Sequence, residues 1–154
     1  MTERIQLTAS IPKANKALYA MAMEVTTAAE EAGVDRGLLE LVKIRASQIN
    51  GCALCLDMHT TDAIKYGEDP RRVFLLDAWR ETELFTEEER AALELTEVIT
   101  RLAETQDVPD DVYERAIKVF SEAQYQAVVW MTVVINTYNR LAIPGRPRLP
   151  RRAA

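Results

Sequence analysis

From Pro12 to Ile143 apolar residues recur at three- and four-residue spacings, and no stretch alternates apolar with polar residues as a half-buried strand must. That pattern restricts the chain to an all-α fold. Pro12 stands in the first turn of a first helix that runs to about Ala32 and is ended by Gly33. A second helix follows Asp35 and reaches Asn50, where Gly51 punctuates it; a third begins near Cys52 and reaches Tyr66, before Gly67. Asp69-Pro70 opens a short fourth helix with Val73, Phe74, Leu76 and Trp79 on its apolar side.

Thr86-Glu87-Glu88-Glu89 has the form of a capping box and opens a long fifth helix that ends before Val108-Pro109. Its apolar positions are Leu93, Leu95, Val98, Ile99 and Leu102, which leaves Arg90, Glu94, Glu97 and Arg101 as a wet face. A sixth helix spans about Pro109 to Phe120. Ser121-Glu122-Ala123-Gln124 resembles a second capping box and opens a seventh, apolar on nearly every side from Ala127 to Ile135. Such a helix belongs at the centre of a bundle or at a subunit interface. With no internal repeat and no dividing linker, the expectation is one domain over 1–154, a bundle of about six to seven helices, with 144–154 as a basic Pro/Arg-rich C-terminal arm.

A chain of 154 residues, 48% of them hydrophobic, is long enough to bury a core. Its net charge of −5 is unevenly placed: no Asp or Glu follows Glu122, whereas Arg140, Arg146, Arg148, Arg151 and Arg152 all do. An acidic body argues against broad binding to a nucleic-acid backbone, which needs a basic patch. The arm reads as solvated, or packed on a neighbouring subunit. The longest apolar run, around Gln126 to Ile135, is far short of the roughly 20 residues of a bilayer span, and Met1-Thr2-Glu3-Arg4 does not begin a secretory signal. The expectation is a cytoplasmic protein that binds neither membrane nor nucleic acid.

The chemistry concentrates in one place. The chain has two cysteines and one histidine, and Cys52, Cys55 and His59 fall within eight consecutive positions. At about 100° per residue they share one helical stripe with Leu56 and Ala63, so thiols and imidazole should face the core or a cleft in it. The four-residue step from Cys55 to His59 places an imidazole where it can take the thiol proton. That matters because a free thiol near pKa 8.5 is only a few per cent thiolate at neutral pH. Cys52 and Cys55 lie one turn apart near a helix start, where the dipole favours an anion and a disulfide is within reach. A disulfide that closes so short a loop adds little stability, so its plausible purpose is redox chemistry.

These residues admit other readings. Buried structural cysteines are common, though a CxxC with the only histidine one turn on would then be an accident. A structural zinc usually takes four protein ligands, and here there are two Cys, one His and a distant carboxylate. Haem attachment needs His directly after the second Cys, where Leu56 stands; a thioredoxin CxxC follows a strand, and none precedes Cys52. No metal or other cofactor is expected. Glu40, Lys43, Ser47 and Gly51 form a narrow stripe on the second helix, opposite Leu38, Val42 and Ile49. If the second and third helices pack antiparallel about Gly51, Glu40 can meet His59 and fix its tautomer. Spacing alone favours a solvated helix residue for Glu40.

Glu40, eleven residues, Cys52-Ala53-Leu54-Cys55, three residues and His59 together resemble the signature of the alkyl hydroperoxidase D (AhpD) family, within the carboxymuconolactone decarboxylase-like superfamily. The resemblance extends through Lys43, Arg45, Ser47 and Asn50, then Trp79-Arg80, Phe85-Thr86 and Glu89-Arg90, and finally Asn136 and Asn139-Arg140. It implies a helical bundle assembled into homo-oligomers, trimers or hexamers, and a peroxidase that uses neither metal nor haem. Cys55 would be the peroxidatic thiolate and Cys52 the resolving thiol. His59 would relay the proton, Glu40 would orient or recharge the relay, and a lipoamide-type or other dithiol would restore the enzyme. The best-known peroxidase members carry a histidine between the cysteines, where this chain has Ala53-Leu54. Two further functions stay open: a thiol redox protein or sensor without turnover, and a decarboxylase-type enzyme, although that branch does not depend on a CxxC pair.

Overall fold

The computed structural model describes residues 2–8 and 10–151. In chain order it contains α1 (Pro12–Glu31), α2 (Arg36–Asn50), α3 (Ala53–Lys65), α4 (Pro70–Leu75), a 3-10 turn (Leu76–Glu81), α5 (Glu87–Thr100), α6 (Leu102–Thr105), α7 (Asp110–Val119) and α8 (Glu122–Gly145). No strand occurs among the described residues, so the fold is all-α as the spacing requires.

The sequence punctuation acts where expected. Asp35 caps α2 by accepting from the Gly37 and Leu38 amides, and Asp69 caps α4 through the Arg71 amide. Both capping boxes form: Thr86 with Glu89 at α5, and Ser121 with Gln124 at α8. Two elements differ from expectation. The fourth helix gives way to the 3-10 turn, with Ala78 outside helical geometry (φ −107°, ψ 26°). The fifth helix stops at Thr100 because Arg101 leaves helical geometry (φ −93°, ψ 13°), and one further turn, α6, follows. Apolar spacing runs on across both breaks, which is why the sequence pattern does not register them.

Helix α2 is the hub: it packs against α3, α5 and α8, while α1 lies on α8 and α7 on α5. One apolar cluster joins α1, α2, α5, α7 and α8 through Ala29, Leu39, Leu95, Ala116 and Val128. A second joins α2, α3, the 3-10 turn and α5 through Leu41, Ile44, Ala63, Leu76, Trp79 and Leu93. Each large aliphatic buried there contributes about 1.5–3 kcal/mol. A third and smaller cluster, Ala46, Cys52, Cys55, Ile135 and Ala142, sits where α2, α3 and α8 meet. The two cysteines thus sit on helices that the two larger clusters hold in place.

Several assignments of side chains to core or solvent are corrected. Phe74 is 78% exposed while Val73, Leu76 and Trp79 are buried, because the break after Leu75 rotates the apolar face away from Phe74. Leu102, beyond the break at Arg101, is 44% exposed. Glu97, expected on a wet face, is buried. The apolar α8 is central, yet Trp130 and Val133 on it still face outward within one chain. Helix α8 continues through Pro144 to Gly145, since so late a proline forfeits only the hydrogen bond to the Arg140 carbonyl. The basic arm, as described, begins at Arg146, and Arg152 lies outside the described residues.

Candidate active site

The site is built on the turn between α2 and α3. Gly51 ends α2 in the left-handed region (φ 71°), where a side chain would be strained, and so reverses the chain. Cys52 is therefore the N-cap of α3, its sulfur accepting from the Cys55 amide at 3.4 Å. Behind the turn, Asn50 Nδ2 donates to Asn136 Oδ1 (3.0 Å) and Asn139 Oδ1 (2.8 Å), and Asn139 Nδ2 donates to Ser47 Oγ (3.1 Å). These bonds pin the last turn of α2 to α8. Asn139 and Ser47 are fully buried, so the bond between them is made without competition from water.

Cys52 and Cys55 are joined as a disulfide, with their Cα atoms 5.4 Å apart, inside the range that such a bridge requires. Both are buried, at 2% and 3% exposure. Cys55 lies in the first turn of α3, where the unpaired amides and the helix dipole favour a thiolate once the pair is reduced. Cys55, His59 and Ala63 are the buried residues of this helix, and they form the stripe expected from their spacing.

Antiparallel packing about Gly51 brings His59 to Glu40: Nδ1 lies 3.0 Å from Glu40 Oε2. The other carboxylate oxygen accepts from Lys43 Nζ at 2.5 Å. Glu40 is buried rather than solvated, at 3% exposure. Burial by itself pushes its carboxyl up, but the hydrogen bond from His59 and the charge and hydrogen bond of Lys43 outweigh that, and the net shift is downward. An ionised Glu40 only accepts, so His59 Nδ1 carries the proton and donates it, which leaves Nε2 for acid–base work.

Cys55 and His59 open together onto a pocket of about 350 Å³, whose walls are largely apolar: Leu54, Met58, Met131, Ile135 and Tyr138 among them. Tyr19 from α1 and Thr8 from the N-terminal segment also line it. Nothing in the sequence pattern singles these two out, because they reach the site only through the packing of α1 on α8. Among the described residues no group of three or more His, Cys, Asp or Glu side chains is arranged to hold a metal ion.

A second polar centre lies where α2, the 3-10 turn and α5 meet. Glu97 accepts from Arg45 Nε (2.8 Å) and Trp79 Nε1 (2.8 Å) at one oxygen and from Arg80 NH1 (2.7 Å) at the other. Arg45 also bonds Gln48 and Asp77. Burial raises the Glu97 carboxyl, but these donors and the Arg45 charge hold it below the usual carboxylate value. The cluster braces the face of α2 away from the cysteines.

Comparison with known proteins places this arrangement. Residues 12–98 match the carboxymuconolactone decarboxylase family. The chain belongs to that family. It is 42% identical over 143 residues to the uncharacterised protein YdfG of Bacillus subtilis, an alignment that spans 93% of this chain and 94% of YdfG. A protein of unknown function from Agrobacterium tumefaciens, provisionally named as an antioxidant defence protein AhpD, superposes with a TM-score of 0.85 at 34% identity, covering 98% of this chain and all of that one. An uncharacterised peroxidase-related protein from Silicibacter sp. TM1040 shares the fold at a TM-score of 0.74 and 21% identity, over 86% of this chain and 68% of its own. The protein is thus an AhpD-like member of the carboxymuconolactone decarboxylase family, and its Cys52–Cys55 pair fits an antioxidant role.

Proposed function

We propose that this AhpD-like protein is a thiol peroxidase acting on hydroperoxides. The observation that supports it is the combination of a CxxC pair with His59 one turn along the same helix, held by Glu40 from α2, with Cys55 and His59 sharing one pocket. In the reduced enzyme His59 Nε2 takes the Cys55 proton, and the helix start stabilises the thiolate. The thiolate attacks the terminal oxygen of R–O–O–H. An S–O bond forms, the O–O bond breaks, and the leaving alkoxide takes its proton from His59, giving an alcohol and a Cys55 sulfenic acid. The Cys52 thiol then attacks the Cys55 sulfur, releasing water and closing the disulfide. A dithiol reductant returns both thiols. Glu40 acts through His59, as a positioning residue that holds the ring and stabilises its cation.

In this reading the protein needs no metal or other cofactor and works as a homo-oligomer, trimer or hexamer, in the cytoplasm. The exposed Trp130 and Val133 on α8 support assembly, because large apolar residues so placed suit a subunit interface. No described helix is long and apolar enough to cross a membrane.

The test is peroxide consumption by pure protein with dihydrolipoamide as reductant, comparing wild type, Cys55→Ser and wild type with a chelator. Multiple turnovers that vanish in Cys55→Ser and survive chelation are the expected result. A single stoichiometric oxidation without turnover would replace this reading with a redox sensor. Peroxide turnover that persists in Cys55→Ser would remove Cys55 from the reaction.

A further inference from the structure

The two cysteines open onto different cavities. Cys55 and His59 line the apolar pocket of about 350 Å³, whereas Cys52 lines a separate cavity of about 610 Å³ together with Gly51, Ala53, Arg146 and Arg148. Leu54 and Ala142 border both and form the partition between them. The walls also differ in charge. In the first pocket the Lys43 ammonium is engaged by Glu40. In the second, the exposed Arg146 and Arg148 make no ion pair among the described residues, and no carboxylate lines the cavity. No Asp or Glu follows Glu122 in the sequence, so the end of α8 and the arm bring only positive charge to the Cys52 side of an otherwise acidic molecule.

We propose that the Cys52 cavity is the docking site of the reductant, and that this reductant is a small thiol carrying an anionic group. The proposal rests on the reading of Cys52–Cys55 as a cycling pair. A cavity of this size is in the range that holds a small molecule, and two arginines without an ion pair lining the same cavity as Cys52 favour a carboxylate- or phosphate-bearing ligand. The chemistry is directional. The reductant thiolate attacks Cys52 Sγ, forming a mixed disulfide; the Cys52–Cys55 bond breaks and its electron pair leaves on Cys55. The departing thiolate lies in the first turn of α3, one turn from His59, and exchange is faster when the leaving thiolate is the more stable one. A second thiol of the reductant then attacks the mixed disulfide, releasing Cys52 as a thiol and the reductant as its own disulfide. Two electrons and two protons pass from reductant to protein. Peroxide and reductant thus meet the pair from opposite sides of Leu54.

Dihydrolipoate and dihydrolipoamide test this, because they carry the same dithiol and differ in a carboxylate. The oxidised protein is mixed with each in the absence of peroxide, and appearance of protein thiols is followed by stopped flow. Dihydrolipoate should react about tenfold faster at low ionic strength, and the advantage should disappear in high salt and in Arg146→Gln/Arg148→Gln. It should persist in Arg146→Lys/Arg148→Lys, and the dihydrolipoamide rate should be the same in all three proteins. Equal rates for the two dithiols in wild type, a preference that survives the glutamine substitutions, or reduction by neither dithiol would each overturn the proposal. Since no peroxide is present, failure of the peroxidase reading leaves this result unaffected.

Discussion

His59 Nδ1 and Glu40 Oε2 are 19 residues apart in sequence and 3.0 Å apart in the fold, and in the proposed mechanism that contact gives the CxxC pair its own proton carrier. Without Glu40 the ring is free to adopt either tautomer and its cation is less stable. His59→Gln should therefore slow Cys55 oxidation by about 100-fold at neutral pH, the lower end of what a positioned general base supplies. The rise of its rate with pH, which follows formation of the Cys55 thiolate, should move to more alkaline pH. Glu40→Gln should lose about tenfold, and the double variant should be no slower than His59→Gln because the two residues act as a unit. Stopped-flow oxidation against pH measures all three. A profile unchanged in His59→Gln would remove His59 from the mechanism.

Acid stability should report on the same carboxylate. Glu40 is held below its reference value of 4.5, so the folded protein keeps it ionised at pH values where the unfolded chain would bind a proton. A depressed carboxylate contributes stability that is fully present above the unfolded value and is lost as pH falls through the folded one. Wild-type Tm should accordingly drop below about pH 4.5, with Glu97 adding to the slope in the same direction. Glu40→Gln should be less stable than wild type at pH 7 and show a shallower acid decline. Parallel curves of Tm against pH for the two proteins would contradict the assignment.

What the sequence revealed and what it concealed divide along local and long-range physics. The Cys52, Cys55 and His59 stripe needs only 3.6-residue periodicity, and the helix starts at Asp35, Asp69, Thr86 and Ser121 need only a side chain that reaches its own backbone. Glu40 needed one further condition, antiparallel packing about Gly51, which spacing permits without requiring. Glu97 is buried against expectation, because charge at an outward helical position normally means water. Its donors Arg45, Trp79 and Arg80 come from other elements, 52, 18 and 17 residues away. Thr8 and Tyr19 reach the pocket from the N-terminal segment and α1, which no local pattern relates to α3.

The two cysteines should separate cleanly by substitution. Serine is a good N-cap, so Cys52→Ser keeps the start of α3 and should fold as wild type does. It removes the resolving thiol, and one equivalent of peroxide should leave a long-lived sulfenic acid on Cys55. Labelling with a 1,3-diketone probe followed by mass spectrometry should find about one adduct per chain, at Cys55. Cys55→Ser should give none. Adduct on Cys52 in that second variant would exchange the roles of the two sulfurs.

Glu97 offers a control in which stability falls while the chemistry stays. Its removal in Glu97→Ala leaves the Arg45 guanidinium with its side chain only 7% exposed and without its buried counter-charge. Breaking a buried pair from one side costs about 3–5 kcal/mol, and Arg45 is then left with only Gln48 and the solvent-exposed Asp77 as partners. At about 2–4 °C per kcal/mol for a domain of this size, Tm should drop by roughly 6–20 °C, measurable by calorimetry. Glu97 does not line the Cys55 pocket, so well below that Tm the rate of Cys55 oxidation should match wild type. Glu97→Gln, which keeps an acceptor for Trp79 and loses only the charge, should fall between the two in stability. A slowed oxidation in either variant, at a temperature where the protein remains folded, would mean that the Arg45 cluster sets the position of α2 closely enough to control Glu40 on the same helix.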